Sequence, residues 1–191
     1  MSAPYRYYIL NKPYQVLSRF TADGSTYRTI KDIIDVPKDV YPVGRLDRDT
    51  EGLLFLTNDP RVNKALLHPN RHVEKTYWAQ VEGLVDDAKL LPIREGMTIS
   101  LKGKKHNCRP AEVRIIEQPE RLWDRIPPIR YRKEIPTSWV ELTLTEGKNR
   151  QVRKMLAGCG YPVLRLIRTR IGGRNLADLG PGGIVEVEGF E

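Results

Sequence analysis

Along most of the chain, apolar residues alternate with polar ones or cluster in runs of strand length, broken by short stretches with helical spacing. RYYIL (6–10) and YQVLSRF (14–20) are rich in aromatic and branched residues around Asn11-Lys12-Pro13, which predicts two strands or a strand and a turn. TIKDIID (29–35) sets Ile30, Ile33 and Ile34 on one side of a helix. Leu53 to Leu56 are consecutive apolar residues, as in a strand covered on both faces. PRVNKALL opens with a proline suited to a first helical turn, KTYWAQVEG alternates as a strand, and DDAKLLPI predicts a short helix stopped by Pro92. Alternation resumes over 96–116 and is clearest in TSWVELTLTEG (137–147), where Trp139, Glu141 and Thr143 oppose Val140, Leu142 and Leu144. A helix capped by Asn149 and ending near Gly158, then a last strand in GGIVEVEGF, complete the pattern. Mixed strands and short helices predict an α+β fold around a large, mostly antiparallel sheet.

Charge changes this picture of an ordinary mixed domain. The 191 residues carry 32 Lys+Arg against 24 Asp+Glu, a formal charge of +8, which favours a polyanionic partner. The segment 148–174 holds Lys148, Arg150, Arg153, Lys154, Arg165, Arg168, Arg170 and Arg174 and no acid. On a helix beginning near Asn149, Val152, Met155 and Leu156 share one side and Arg150, Arg153 and Lys154 the other. Like charges one turn apart repel, so an unmixed basic face is expected to meet a polyanion or a carboxylate. Its apolar side is too short for a membrane-surface helix, which leaves nucleic acid as the expected partner and no membrane. RLWDRIPPIRYRKE (121–134) interleaves basic groups with Trp123 and Tyr131; it reads equally as an RNA-contacting loop or as a connector whose aromatics pack on the body.

Composition excludes other classes. Two cysteines, Cys108 and Cys159, stand without a CxxC, which argues against a disulfide framework or zinc ribbon and suits a reducing cytoplasm. No apolar run approaches the ~20 residues a bilayer demands. His68 and His72 have the spacing of a zinc-binding helix, but Pro69 and Asn70 leave no helix between them, and no metal is expected. With no heptad or long apolar stripe, a monomer is expected.

GRLDRDTEG (44–52) concentrates acids within this basic chain. From the residues alone Asp47 and Asp49 fit a metal-binding DxD, a turn in which Asp49 or Thr50 caps a backbone N–H, or one catalytic carboxylate flanked by positioning arginines.

GRLDRDTEGLLFLTND closely resembles the catalytic motif of RNA pseudouridine synthases of the RsuA/RluA superfamily. YYILNKP is similar to that family's first motif, KTYWAQVEG to its tyrosine motif, and EGKNRQVRKML followed by VLRLIRTRIGG to its third. The forms ILNKP and EGKNRQVRKM favour the RsuA-like branch. The resemblance implies a pseudouridine synthase fold in two lobes about a central RNA-binding cleft. It implies isomerisation of uridine to pseudouridine in ribosomal RNA, that of the large subunit, without a cofactor. Residues 1–5 would form a tail and 6–191 the catalytic domain, without the N-terminal S4 module common in that branch.

Carried over by position, Asp47 is the essential aspartate, Tyr77 the aromatic residue beside the target base, and Arg153 the basic partner of the aspartate. Leu166 lines the uracil site and Arg45 helps displace the base, while Asn11, Lys12 and Pro13 are structural. Arg150, Lys154, Arg165, Arg168 and Arg170 are expected to contact RNA. The competing readings are a non-catalytic RNA-binding ribosome assembly factor and a metal-dependent nuclease using Asp47 and Asp49.

Overall fold

The computed structural model describes residues 5–21, 24–130, 134–176 and 178–190. In chain order they form β1 (Tyr7–Lys12), β2 (Tyr41–Pro42), β3 (Glu51–Thr57), α1 (Pro60–Leu67), β4 (Lys75–Glu82), α2 (Leu91–Glu95), β5 (Thr98–Leu101), β6 (Lys104–Asn107), β7 (Glu112–Ile116), β8 (Thr137–Leu144), α3 (Gln151–Gly158), β9 (Val163–Ile171), β10 (Arg174–Asn175) and β11 (Ile184–Val187). The class is α+β, built on a large mixed sheet with few, short helices. The chain divides into two compact units, residues 1–73 with 168–191 and residues 74–167, each with its own core.

In the first unit β1 pairs antiparallel with β3 on one side and β11 on the other. Every residue of β3 is buried, as the unbroken apolar run required. Leu10, Leu54 and Leu56 form a core with Ile30, Val40 and Leu46. β1 runs on through Asn11 and Lys12, both fully buried, where a turn was expected. The Asn11 amide donates to the Leu179 carbonyl at 2.7 Å, and its backbone N–H bonds Gly183, so this motif ties the C-terminal segment to the sheet.

Of the two expectations for 6–20, a strand and a turn is the one observed: segment 14–20 is a turn-rich loop with a single bridge between Leu17 and Thr29. Gln15 has φ +59°, which breaks an extended run, and Ser18 Oγ donates to the Leu46 carbonyl at 2.9 Å, so the loop satisfies its polar groups outside a ladder. TIKDIID makes only one 3-10 turn, Ile30–Asp32. The Asp32 carboxylate accepts from the Thr29 N–H and hydroxyl at 2.6 and 3.0 Å, closing the turn locally.

In the second unit β8 lies between β4 and β7 and pairs antiparallel with both, with Tyr77 opposite Leu142 and Ala79 opposite Val140. Its core joins Val81, Val140, Leu142, Ile93, Met155 and Leu156. β5 and β6 make a separate hairpin. Pro92 does not stop a helix; it occupies the first turn of α2, which follows a 3-10 turn over Asp87–Leu90. β9 has no counterpart in the periodicity reading, because Arg165, Arg168 and Arg170 interrupt its apolar run. It carries the chain from the second unit, through residue 167, into the first, from Arg168.

Candidate active site

The loop before β3 is shaped by its buried residues. Leu46 is 6% exposed and sits in the first unit's core, so its neighbours Arg45 and Asp47 project from the anchored backbone, one exposed and the other partly so. Ser18 holds Leu46 in both directions: Oγ donates to its carbonyl and accepts its N–H at 3.1 Å. The Asp47 carbonyl accepts the Thr50 N–H at 3.0 Å, and the Gln15 N–H donates to the Arg48 carbonyl at 2.8 Å. The Arg48 guanidinium lies over the Tyr27 ring, 3.9 Å from its centroid. Gly52 ends the loop at φ +102°, and a Cβ there would lie 2.3 Å from the Arg168 carbonyl oxygen. Glycine permits both the conformation and the approach of β9.

Beneath this loop is a cation that sequence reading assigned only a structural place. The Lys12 ammonium is fully buried and donates to the carbonyls of Pro13 at 2.9 Å and Val16 at 2.8 Å, with Arg48 at 3.4 Å. Burial pulls its pKa down to about 7, opposed by the negative charges of Glu51, Asp49 and Asp47 and assisted by Arg168. Arg168 is 5% exposed; its Nε donates to the Leu53 carbonyl at 2.9 Å, while one Nη2 is buried with no hydrogen-bond partner. Two cations therefore underlie a loop bearing three acids. The sequence signal for Lys12 was only its place in ILNKP.

The second unit holds Tyr77, Arg150, Arg153, Lys154, Arg165 and Leu166. Tyr77, half-buried on β4, packs against the core that includes Leu166, itself 5% exposed. Arg153 lies partly buried on α3, with Nη1 within 3.4 Å of the Val163 carbonyl. α3 buries Val152, Met155 and Leu156 as the spacing required, together with Gln151. Asn149 does not cap it. The N-cap position is Arg150, at φ +51° and with no side-chain cap bond, while the Gln151 side chain accepts the Lys148 N–H at 3.1 Å. Arg150 is exposed, and Lys154 reaches back to the Ser100 carbonyl at 2.7 Å.

Arg165 is 5% exposed and does not offer its charge to solvent: it donates to the Trp123 carbonyl at 2.9 Å and stands 5.6 Å from that ring's centroid. Arg125 likewise bonds the Leu164 carbonyl at 3.1 Å, so this half of loop 121–134 packs on the body; Tyr131 falls outside the described residues. Arg170 is partly exposed, with Nη1 on the Gly172 carbonyl. His68 is exposed and accepts the Asn70 N–H through Nδ1 at 3.3 Å, and His72 follows a 3-10 turn rather than a helix.

The RNA pseudouridylate synthase model matches residues 6–158, and the chain belongs to that family of enzymes, which isomerise uridine in RNA to pseudouridine. Among its relatives, a ribosomal large subunit pseudouridine synthase E from Vibrio vulnificus (strain CMCP6) is 50% identical over 174 residues, covering 91% of this chain and 71% of the relative. The protein of the same description from Xanthomonas campestris pv. campestris is 47% identical over 176 residues, covering 91% of each. A crystal structure of a pseudouridylate synthase superposes with a TM-score of 0.76 at 29% identity, over 96% of this chain and 70% of that one. Among the described residues, no helix is long and apolar enough to cross a membrane.

Proposed function

We propose that this chain converts a uridine of large-subunit ribosomal RNA into pseudouridine, with Asp47 as the reacting carboxylate. The observation that carries the reading is the Asp47 loop: its backbone is anchored through Leu46, its side chain is partly exposed, and Lys12 lies beneath it. Relatives described as large-subunit enzymes, 44–50% identical, support the choice of RNA.

The reaction breaks the bond from ribose C1′ to uracil N1, turns the base, and joins C1′ to C5. No electron donor or external energy enters. As in glycoside cleavage, an ionised carboxylate either attacks C1′ or stabilises positive character there. The C5 proton leaves to solvent once the new bond has formed. Lys12 lies beneath the loop that carries the carboxylate, bonded to the Arg48 carbonyl, and Arg153 is assigned as the basic partner of the carboxylate through the motif match.

A stacked nucleotide hides both reacting atoms, so the base must leave its stack at a cost of a few kcal/mol. Arg45, exposed beside Asp47, suits occupation of the vacated space, and Tyr77 with Leu166 suits contact with the flipped ring. Arg150, Lys154 and Arg170 are the expected phosphate contacts. Arg165 and Arg168, turned onto backbone carbonyls, brace the protein instead.

Large-subunit RNA transcribed with [5-³H]uridine tests the substrate. The protein is expected to release tritium to water from that RNA, up to a small whole number of sites, and not from small-subunit RNA. Equal release from both, or none from the large-subunit RNA, would overturn the assignment.

A further inference from the structure

Three metal-ligating side chains meet in the second unit, on residues that no motif of the enzyme claims as catalytic. His106 lies on β6, Cys108 just after it, and Glu146 in the segment joining β8 to α3. Their ligand atoms all fall within 4.8 Å of one another. His106 Nε2 and a Glu146 carboxylate oxygen are 3.2 Å apart. Two ligands on ~2.0 Å arms of a tetrahedron stand about 3.3 Å apart, so this separation already matches one edge of a zinc coordination shell. The Cys108 sulfur has to close on the other two by at most about 1.3 Å to reach the roughly 3.5 Å edge set by its longer Zn–S distance, a movement of the size of a side-chain rotation.

We propose that His106, Cys108 and Glu146 form a site for a zinc-class divalent cation, with a water or exchangeable ligand in the fourth position. The donor set of imidazole, thiolate and carboxylate is one that Zn²⁺ accepts and that Mg²⁺ or Ca²⁺ does not favour. The carboxylate is already oriented for the role. Its second oxygen accepts the Arg109 N–H at 3.0 Å and the Gln151 amide at 2.7 Å, which leaves the first directed at the imidazole. Outer hydrogen bonds of this kind fix ligating carboxylates in metal sites. Coordination takes the thiolate, so the Cys108 thiol proton leaves to the buffer as the metal binds.

The Glu146 and His106 side chains are 11% and 24% exposed, which gives an ion and its fourth ligand a path from solvent. The site's position gives it a consequence. Gln151 is the first residue of α3, and Lys154 of the same helix bonds β5, so a bound ion fastens the β5–β6 hairpin to the start of the basic helix. Zinc binding at these three residues does not depend on the reaction at Asp47.

The reduced, metal-stripped full chain is titrated with Zn²⁺ against a chromophoric chelator and, separately, with Co²⁺. The expected result is one equivalent bound per chain and a thiolate-to-cobalt charge-transfer band in the near ultraviolet. That band is lost in Cys108→Ser and kept in Cys159→Ser, and His106→Ala weakens zinc by more than the ~10–100-fold that loss of an outer hydrogen-bond partner costs. Should either variant unfold, X-ray absorption on the zinc-loaded wild type decides, one sulfur in the coordination shell being required. Zinc held no more tightly than by a protein lacking such ligands, or cobalt bound without a sulfur ligand, overturns the proposal.

Discussion

Lys12 is a charged side chain wholly enclosed by protein, and its cost is met by three carbonyls and by the acids of the loop above it. A lysine whose folded pKa is about 7, against an ordinary value of 10.5, binds fewer protons folded than unfolded between those two pH values. Stability therefore rises with pH across that window, and the contribution is lost as pH falls toward 7. Methionine at this position does not titrate. The stability difference between wild type and Lys12→Met, from denaturant unfolding at pH 7 and pH 10, is expected to shift in favour of wild type at the higher pH. No shift, or one of opposite sign, would mean that the surrounding oxygens hold the ammonium charged throughout. Asp47 itself, as a residue type at its spacing, was open to three readings; only the order of the accompanying motifs separated them.

At the scale of single elements, α1 shows how local chemistry sets an end. None of its residues is buried, so packing contributes little and the cap matters. Asp59, 4% exposed, accepts the Arg61 N–H at 3.0 Å, pairs with the Arg61 guanidinium at 2.8 Å, and accepts the Tyr7 hydroxyl at 2.9 Å. Asp59→Ala removes the cap and orphans the Tyr7 hydroxyl, and it is expected to lower unfolding stability by about 2 kcal/mol. A loss below about 0.5 kcal/mol would remove the cap from the account.

Helix α3 tests the electrostatic reading. Neutralising Arg150 and Lys154 together is expected to weaken RNA binding and to reduce the salt slope by about two units or less, whereas Arg165→Gln should act mainly on stability. An unchanged slope in the double variant would move the RNA contact elsewhere.

Over the whole molecule, the strands with period-two patterning and the all-buried β3 were legible because each carries its burial in its own residues. β9 was not, since Arg165 and Arg168 are buried on carbonyls supplied by residues far away in sequence, Trp123 and Leu53. Segment 14–20 left strand and turn open in its residues alone, because its apolar residues pack while its hydrogen bonds go to the Asp47 loop and to Arg28 and Ile30 rather than to a long ladder. The same limit hid the cluster of His106, Cys108 and Glu146, which lies together only once β6 and the α3 approach are folded. Candidate catalytic residues were legible through motif order, whereas the cation beneath the loop and the orientation of Arg165 and Arg168 needed coordinates.

The most direct test compares wild type and Asp47→Asn on [5-³H]uridine-labelled large-subunit RNA, measuring RNA affinity and tritium release on the same preparations. Asparagine keeps the size and removes the charge, so affinity should be retained while release falls to background. Measurable release by Asp47→Asn would show that the carboxylate is not the reacting group.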